Sequence, residues 1–294
     1  MLVFHDPRCA EYSRPAHPER PQRITATVPI LKKRHPDWTW RMPLEASPEM
    51  LLRAHSAEHL ARVQAAADDF DADSPAHPGV FGHGARAAGA AVDVARAAIA
   101  GELSFSLMRP PGHHARREKA MGFCYFSNVA IAALDALAQG GTGRVAIWDF
   151  DAHHGNGTEE IVANHPQIAF ASIHQMPAYP GTGARSSGNI SNYPVAPMTP
   201  RAAHMDEMQR ALDKLLTFKP DLLLVSAGFD AYHRDPITQL MLEGEDFQKC
   251  GEWLREINIR AGAVLEGGYS DALPELIDAF LSGWSGEAKC SAHA

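Results

Sequence analysis

At 294 residues the chain is long enough to bury a full core, as one large α/β domain or two small ones. It carries 35 acidic against 27 basic residues, a net charge of −8 with no Lys/Arg block, which argues against nucleic acid or an anionic membrane as a partner. Cys9, Cys124, Cys250 and Cys290 are far apart and form no C-x-x-C, no run approaches the ~18 apolar residues of a membrane span, and no leader pattern opens the chain, so a reducing cytoplasm is expected.

Residues 1–23 open with a short apolar run and lead through His17-Pro-Glu-Arg-Pro-Gln-Arg23 into a helical pattern from Ile24 to Lys33. Prolines at 15, 18 and 21 keep that lead-in extended, and Arg23 reads as a solvated residue of the first helical turn. Residues 48–67 read as helix in two pieces. His55 and His59 lie one turn apart there, a spacing that suits a metal, but without a carboxylate partner they read better as surface histidines. Residues 68–84 form the longest loop, of the kind that rims binding sites. An alanine-rich helix follows from Ala85 to Ala100.

Leu103–Met108 is a strand candidate ending in Arg109-Pro-Pro-Gly-His-His114, and Gly122-Phe-Cys-Tyr-Phe-Ser-Asn128 turns into an apolar helix from Val129 to Ala138. The apolar run Val145–Trp148 reads as a buried strand that gives way to Asp149-Phe-Asp-Ala-His-His-Gly-Asn-Gly-Thr158. Ile168–Ile173 is another strand, ending in His174 and a loop with Pro180-Gly-Thr-Gly183. An amphipathic helix over 201–218 precedes a strand over 221–226, which opens into Ala227-Gly-Phe-Asp230. A helix over 245–257, a last strand over 263–265 ending in Glu266-Gly-Gly-Tyr269, and a closing helix around 276–280 complete the chain, with a loose tail after Trp284.

Alternation of apolar strand and helix predicts an α/β fold, three-layer αβα with a central, mainly parallel sheet. Ligands of such sheets bind outside the carboxyl ends of the strands, and the five strand candidates all end there in unusual polar residues. In an extended segment Asp149, Asp151 and His153 share one side. Such a cluster beside apolar sequence would leave charge unpaired unless a cation such as zinc neutralised it. Asp230 is the natural third ligand. Two carboxylates and one imidazole leave positions open for water and a substrate carbonyl, as in a catalytic site.

The segments 17–23, 109–114, 122–125, 149–158, 180–183, 226–230 and 265–269 together resemble the zinc-dependent histone deacetylase and acetylpolyamine amidohydrolase family, which has an arginase-like fold. They occur in family order and span nearly the whole chain, which implies a single deacetylase catalytic domain over 1–294. The resemblance implies that Asp151, His153 and Asp230 hold one Zn²⁺ and that His113 and His114 are the catalytic pair. It further implies that Asp149 orients His113 and Tyr269 polarises the scissile carbonyl. Gly122, Phe123, Tyr179, Ile237 and Gly268 fall at the acyl-lysine tunnel, Arg23 at an internal pocket below the zinc, and a structural potassium ion near Asp149, Asp151, His153 and Ser172. Asn156, where some relatives have a second Asp, places the chain in the class II-like, bacterial-type branch.

The expected function is removal of acetyl or another short acyl group from N-ε-acyl-lysine of a protein or peptide. The rival is an acetylpolyamine amidohydrolase with the same machinery. More distant are an arginase-like manganese enzyme, disfavoured by His154-Gly155 where a bridging carboxylate would be wanted, and a silent acyl-lysine binder, disfavoured because His114 and Tyr269 are kept. Asp235-Pro-Ile-Thr238 and Tyr232-His233 depart from the family pattern and put substrate preference in doubt. Isoleucine at 237 offers no countercharge to a polyamine, although Asp71 and Asp73 in the long loop are placed to supply one.

Overall fold

In the run Val145–Asp149, alternate side chains enter two separate cores. Val145 and Ile147 pack on one side of the sheet, Ala146 and Trp148 on the other. Leu222 and Leu224 against Leu223 and Val225 repeat the pattern one strand away. A strand buried on both faces reads as a continuous apolar run, which explains why these segments show no polar alternation. The computed structural model describes residues 1–286.

The strands are β1 (Leu2–Phe4), β2 (Thr39–Arg41), β3 (Ser104–Ser106), β4 (Val145–Asp149), β5 (Ile168–Gln175), β6 (Ile190–Val195), β7 (Leu222–Ala227) and β8 (Arg260–Leu265). They form one sheet in the order β2-β1-β3-β8-β7-β4-β5-β6, and every pairing is parallel. The expected three-layer α/β fold is therefore present, with a sheet parallel throughout rather than mainly so.

Three strands went unforeseen as such. β1 and β2 are three residues each, too short for a period, and β6 carries Pro194, which an edge strand tolerates because its amide needs no partner. Helices Arg201–Thr217, Gly244–Glu256 and Leu273–Ser285 cover one face. Ala57–Ala65 and Asn128–Ala138 cover the other, while Val80–Ile99 sends alanines into both cores. The last helix contains the 276–280 segment as expected, and the rest of the tail, Cys290 included, lies outside the described residues.

Register brings the chemistry to one rim. Asp149 is level with Ser226 on β7 and Ser172 on β5, and Ser226 is level with Val264 on β8. The segments just past those residues carry Asp151, His153, Asp230 and Tyr269, so they emerge side by side at the carboxyl edge. No helix among the described residues is long and apolar enough to cross a membrane.

Candidate active site

Asp151, His153 and Asp230 are buried, with their ligating atoms all within 4.8 Å of one another. His153 Nδ1 lies 2.8 Å from Asp230 Oδ2 and 3.2 Å from Asp151 Oδ1. Backbone amides fix the carboxylates from behind. Ala152 N donates to Asp230 Oδ1 at 2.8 Å, Gly267 N to Asp151 Oδ2 at 2.7 Å and His153 N to Asp151 Oδ1 at 2.9 Å. A Cβ on Gly267 would stand 2.5 Å from both Asp151 Oδ2 and Asp230 Oδ2, so only glycine lets this backbone close the cradle.

The electrostatics fit a cation. Burial, then the charge of Asp151, pushes the Asp230 carboxyl up. Burial opposes charging of His153, yet hydrogen bonds to Asp151 and Asp230 raise it to about 10. The donor set of two oxygens and one nitrogen around a like-charged carboxylate pair suits zinc. A bound cation would take the place of the His153 Nδ1 proton that otherwise lies between the two carboxylates.

Asp149 does not join this group, although it shares a phase with Asp151 and His153. It closes β4, and its Oδ2 lies 3.1 Å from His113 Nδ1. Burial disfavours a charged His113, but the carboxylates of Asp151 and Asp149 overcome it and raise the imidazole to about 10. His114, with its ring centroid 4.0 Å away, goes the opposite way. Burial first, then His113 and His153, hold it well below the ordinary value. Its Nδ1 lies 2.8 Å from Asn156 Oδ1. An amide oxygen can only accept, so the proton sits on Nδ1 and Nε2 keeps a lone pair. The two adjacent imidazoles are thus biased in opposite directions, His113 toward the charged form and His114 toward the neutral one.

Tyr269 is buried against Phe123, ring centroids 5.6 Å apart, and burial holds its phenol well above the ordinary value, so the hydroxyl remains a donor. Asp235 Oδ2 accepts from Tyr269 N at 2.7 Å, and Asp235 Oδ1 from Ile237 N at 3.2 Å. Arg23 stacks its guanidinium 4.8 Å over the tyrosine ring and donates to Gly268 O at 2.7 Å and to Glu266 O. Arg23 is therefore buried behind the tyrosine, which corrects its reading as a solvated helix residue. Its charge is shared with Glu19, which also accepts from Arg109 Nη2 at 2.7 Å.

Gly122 and Phe123 both adopt positive φ, 57° and 70°. A Cβ at 122 would lie 2.5 Å from His114 Cδ2, so this position needs glycine for space as well as conformation. Phe123, strained for a non-glycine residue, is held by Ser74 Oγ accepting from its amide at 3.0 Å. Tyr179 stands 5.1 Å from the His114 ring and 6.5 Å from His153. Ile237, 38% exposed, lines with Tyr269, His17 and Pro236 a depression of ≈ 670 Å³ at the surface.

His55 and His59 are neither metal ligands nor surface residues. His55 Nδ1 meets Arg116 O at 3.0 Å while Nε2 accepts from Ser127 N at 2.9 Å, and His59 Nε2 meets Tyr125 O at 2.8 Å. They brace the segment 116–127 that follows His113 and His114, and burial, followed by the nearby His59, lowers His55 to about 3.

The sequence reading also missed three supports. Glu266 accepts from Gly112 N at 2.6 Å and His113 N at 3.1 Å, Asp235 serves Tyr269, and the Glu19–Arg109 pair links two of the motifs. Their partners lie 34 to 154 residues away, so no local pattern marks them.

Comparison with known proteins agrees with this geometry. The family model described as "Histone deacetylase domain" matches residues 17–283. A histone deacetylase-like amidohydrolase of Pseudomonas aeruginosa is 39% identical over 247 residues, covering 77% of this chain and 65% of that protein. The crystal structure of the HDA15 HD domain superposes with TM-score 0.91 at 30% identity, covering 97% of this chain and 89% of that one. An acetylpolyamine aminohydrolase from Burkholderia pseudomallei superposes with TM-score 0.84 at 26% identity, covering 97% of this chain and 98% of that one. With the match covering most of the chain, and a histidine pair beside a cradle of potential metal ligands, the protein belongs to the histone deacetylase domain family.

Proposed function

We propose that the chain is a zinc-dependent amidohydrolase whose catalytic domain spans residues 1–294 and which removes acetyl or another short acyl group from N-ε-acyl-lysine. The carrying observation is the pair of adjacent imidazoles, His113 against the Asp149 carboxylate and His114 against the Asn156 amide oxygen, beside the Asp151, His153, Asp230 cradle. Zinc, when bound, would polarise the amide carbonyl and lower the pKa of water from about 15.7 toward ~7. His114 Nε2 takes a proton as the water oxygen attacks the carbonyl carbon, and returns it to the amine as the C–N bond breaks. General acid/base work of this kind contributes typically ~10²–10⁴-fold. His113, held by Asp149, stabilises the negative charge that develops on the former carbonyl oxygen, and the Tyr269 hydroxyl donates to the same oxygen.

A potassium ion beside Asp149, Asp151, His153 and Ser172 belongs to this reading on the strength of the resemblance alone. The cytoplasmic assignment is supported by the free, buried Cys9, Cys124 and Cys250.

Two observations bear on the amine. Ile237 at the rim favours the apolar stem of an acyl-lysine over a second ammonium, which would be desolvated there without a countercharge. The rival, an acetylpolyamine, is favoured by the long loop. Asp71 Oδ2 stands 3.4 Å from Gly122 N, and Asp71 and Asp73 both add, after burial, to the upward shift of the Tyr179 phenol. Their charge therefore reaches the mouth. We place acyl-lysine first. Comparing kcat/KM for an acetyl-lysine peptide with acetylputrescine and acetylspermidine decides it, and a polyamine preference of tenfold, about 1.4 kcal/mol, would reverse the order. Ile237→Glu should move the ratio toward the polyamines.

A further inference from the structure

The tunnel wall Tyr179 rides on the loop 176–189 between β5 and β6, and no residue of that loop is buried. Apolar packing therefore contributes little to its position, which must come from polar bonds. Two buried histidines, used by neither the metal cradle nor proton transfer, lie directly beneath it. His154 Nδ1 is 2.8 Å from Thr182 Oγ1, and His174 Nε2 is 3.1 Å from Gly183 O. Their ring centroids are 4.6 Å apart, and a Cβ on Gly183 would stand 2.4 Å from His174 Nε2, so the loop backbone rests on the pair.

The contact continues into the protein. His154 Nε2 lies 2.9 Å from Glu159 Oε2, and the same oxygen accepts from Asn192 Nδ2 at 2.8 Å. Asn192 also donates from Nδ2 to Arg185 O at 3.0 Å, farther along the loop. Glu159 sits in the helix Asn156–Val162, whose first residue, Asn156, orients the base His114. One short helix thus supports the catalytic base at its start and the tunnel wall three residues on.

We propose that His154 and Glu159 are positioning residues of the acyl tunnel: the chain Asn192, Glu159, His154, Thr182 clamps the loop that carries Tyr179 and so sets the width of the entrance above His114. This rests on the reading of Tyr179 as a wall of that tunnel. Wall placement acts on the acyl stem equally in the ground and transition states, so its loss raises KM and leaves kcat nearly unchanged.

The test uses the zinc-loaded full chain and three variants. Thr182→Val removes the loop's hydroxyl while keeping its shape, Glu159→Ala removes the relay, and Glu159→Gln retains an acceptor for His154. Thr182→Val and Glu159→Ala should raise KM for an acetyl-lysine peptide about fivefold, the scale of one hydrogen bond. Their kcat should stay within twofold and their zinc content at the wild-type value. Amide hydrogen exchange over residues 176–189 should quicken in both, and Glu159→Gln should restore both readouts. Unchanged exchange would mean that the clamp does not hold the loop. Faster exchange with unchanged KM would mean that the wall's position is immaterial, and zinc loss in Thr182→Val and Glu159→Ala would assign the chain to the metal site instead. Each of these overturns the proposal. A wild-type enzyme inert toward acyl-lysine would count against the proposed function, while the exchange measurements would still decide the clamp.

Discussion

Asp230→Ala is expected to purify without zinc and to hydrolyse no acyl amide above the uncatalysed background. Asp230 is fully buried, with Oδ1 fixed by the Ala152 amide and Oδ2 turned to His153 Nδ1, so its removal leaves one carboxylate and one imidazole, too few ligands for a catalytic zinc. The fold should survive. In the metal-free chain the Asp230 carboxyl is already disfavoured by burial and by Asp151, so deleting it relieves repulsion. Asp230→Asn, which keeps the volume and an acceptor for Ala152 N, should melt no lower than the metal-free wild type. Added zinc should raise Tm of the wild type but of neither variant, because only a chain that binds the ion gains from it. Metal analysis showing wild-type zinc in Asp230→Ala, or two manganese ions in the wild type, would overturn the assignment of the cradle.

Tyr269→Phe should keep fold and zinc and lose ~10²–10³ in kcat, the usual cost of one oxyanion donor. The ring remains, so the edge contact with Phe123 and the Arg23 guanidinium above it are retained, and Asp235 still accepts from the backbone amide. Only the hydroxyl is gone. Because burial holds that phenol well above its ordinary value, it donates throughout the neutral range, and the loss should be the same at every assay pH where the wild type is active. KM should change little, since the bond forms with charge that appears only in the transition state. Near-normal turnover on an acetyl amide would mean that the tyrosine has no such part.

β4, β5 and β7 were legible in the sequence because a strand buried on both faces shows four or more apolar residues in a row with a polar break at its end, whereas only the last three residues of β8, 263–265, were read as strand. The cradle was legible for a similar reason. Asp151 and His153 are two apart just past β4, and Asp230 follows the glycine that ends β7, so their positions at the rim follow from chain geometry alone. The grouping of Asp149 with them was incomplete. Phase along a strand says which side a carboxylate faces, and only the neighbouring segment determines that His113 will be its partner.

What the tertiary structure alone decided is the environment of each charge. Arg23 reads as a solvated helix residue until Glu266 O and Gly268 O arrive from a distant segment and, with the neighbouring Glu19, accept from its guanidinium. His55 and His59 read as surface residues until backbone carbonyls 61 and 66 residues away close over them. The partners of Glu266 and Asp235 carry no local mark, yet burial, more than any other cause, raises each carboxyl to about 7 while they hold the backbone of His113 and Tyr269. Apolar periodicity is written in successive residues because covalent geometry sets the period. The state of a buried ionisable group depends on which dipoles and charges meet it in a medium of low dielectric, and these are supplied by segments that only the folded sheet brings together.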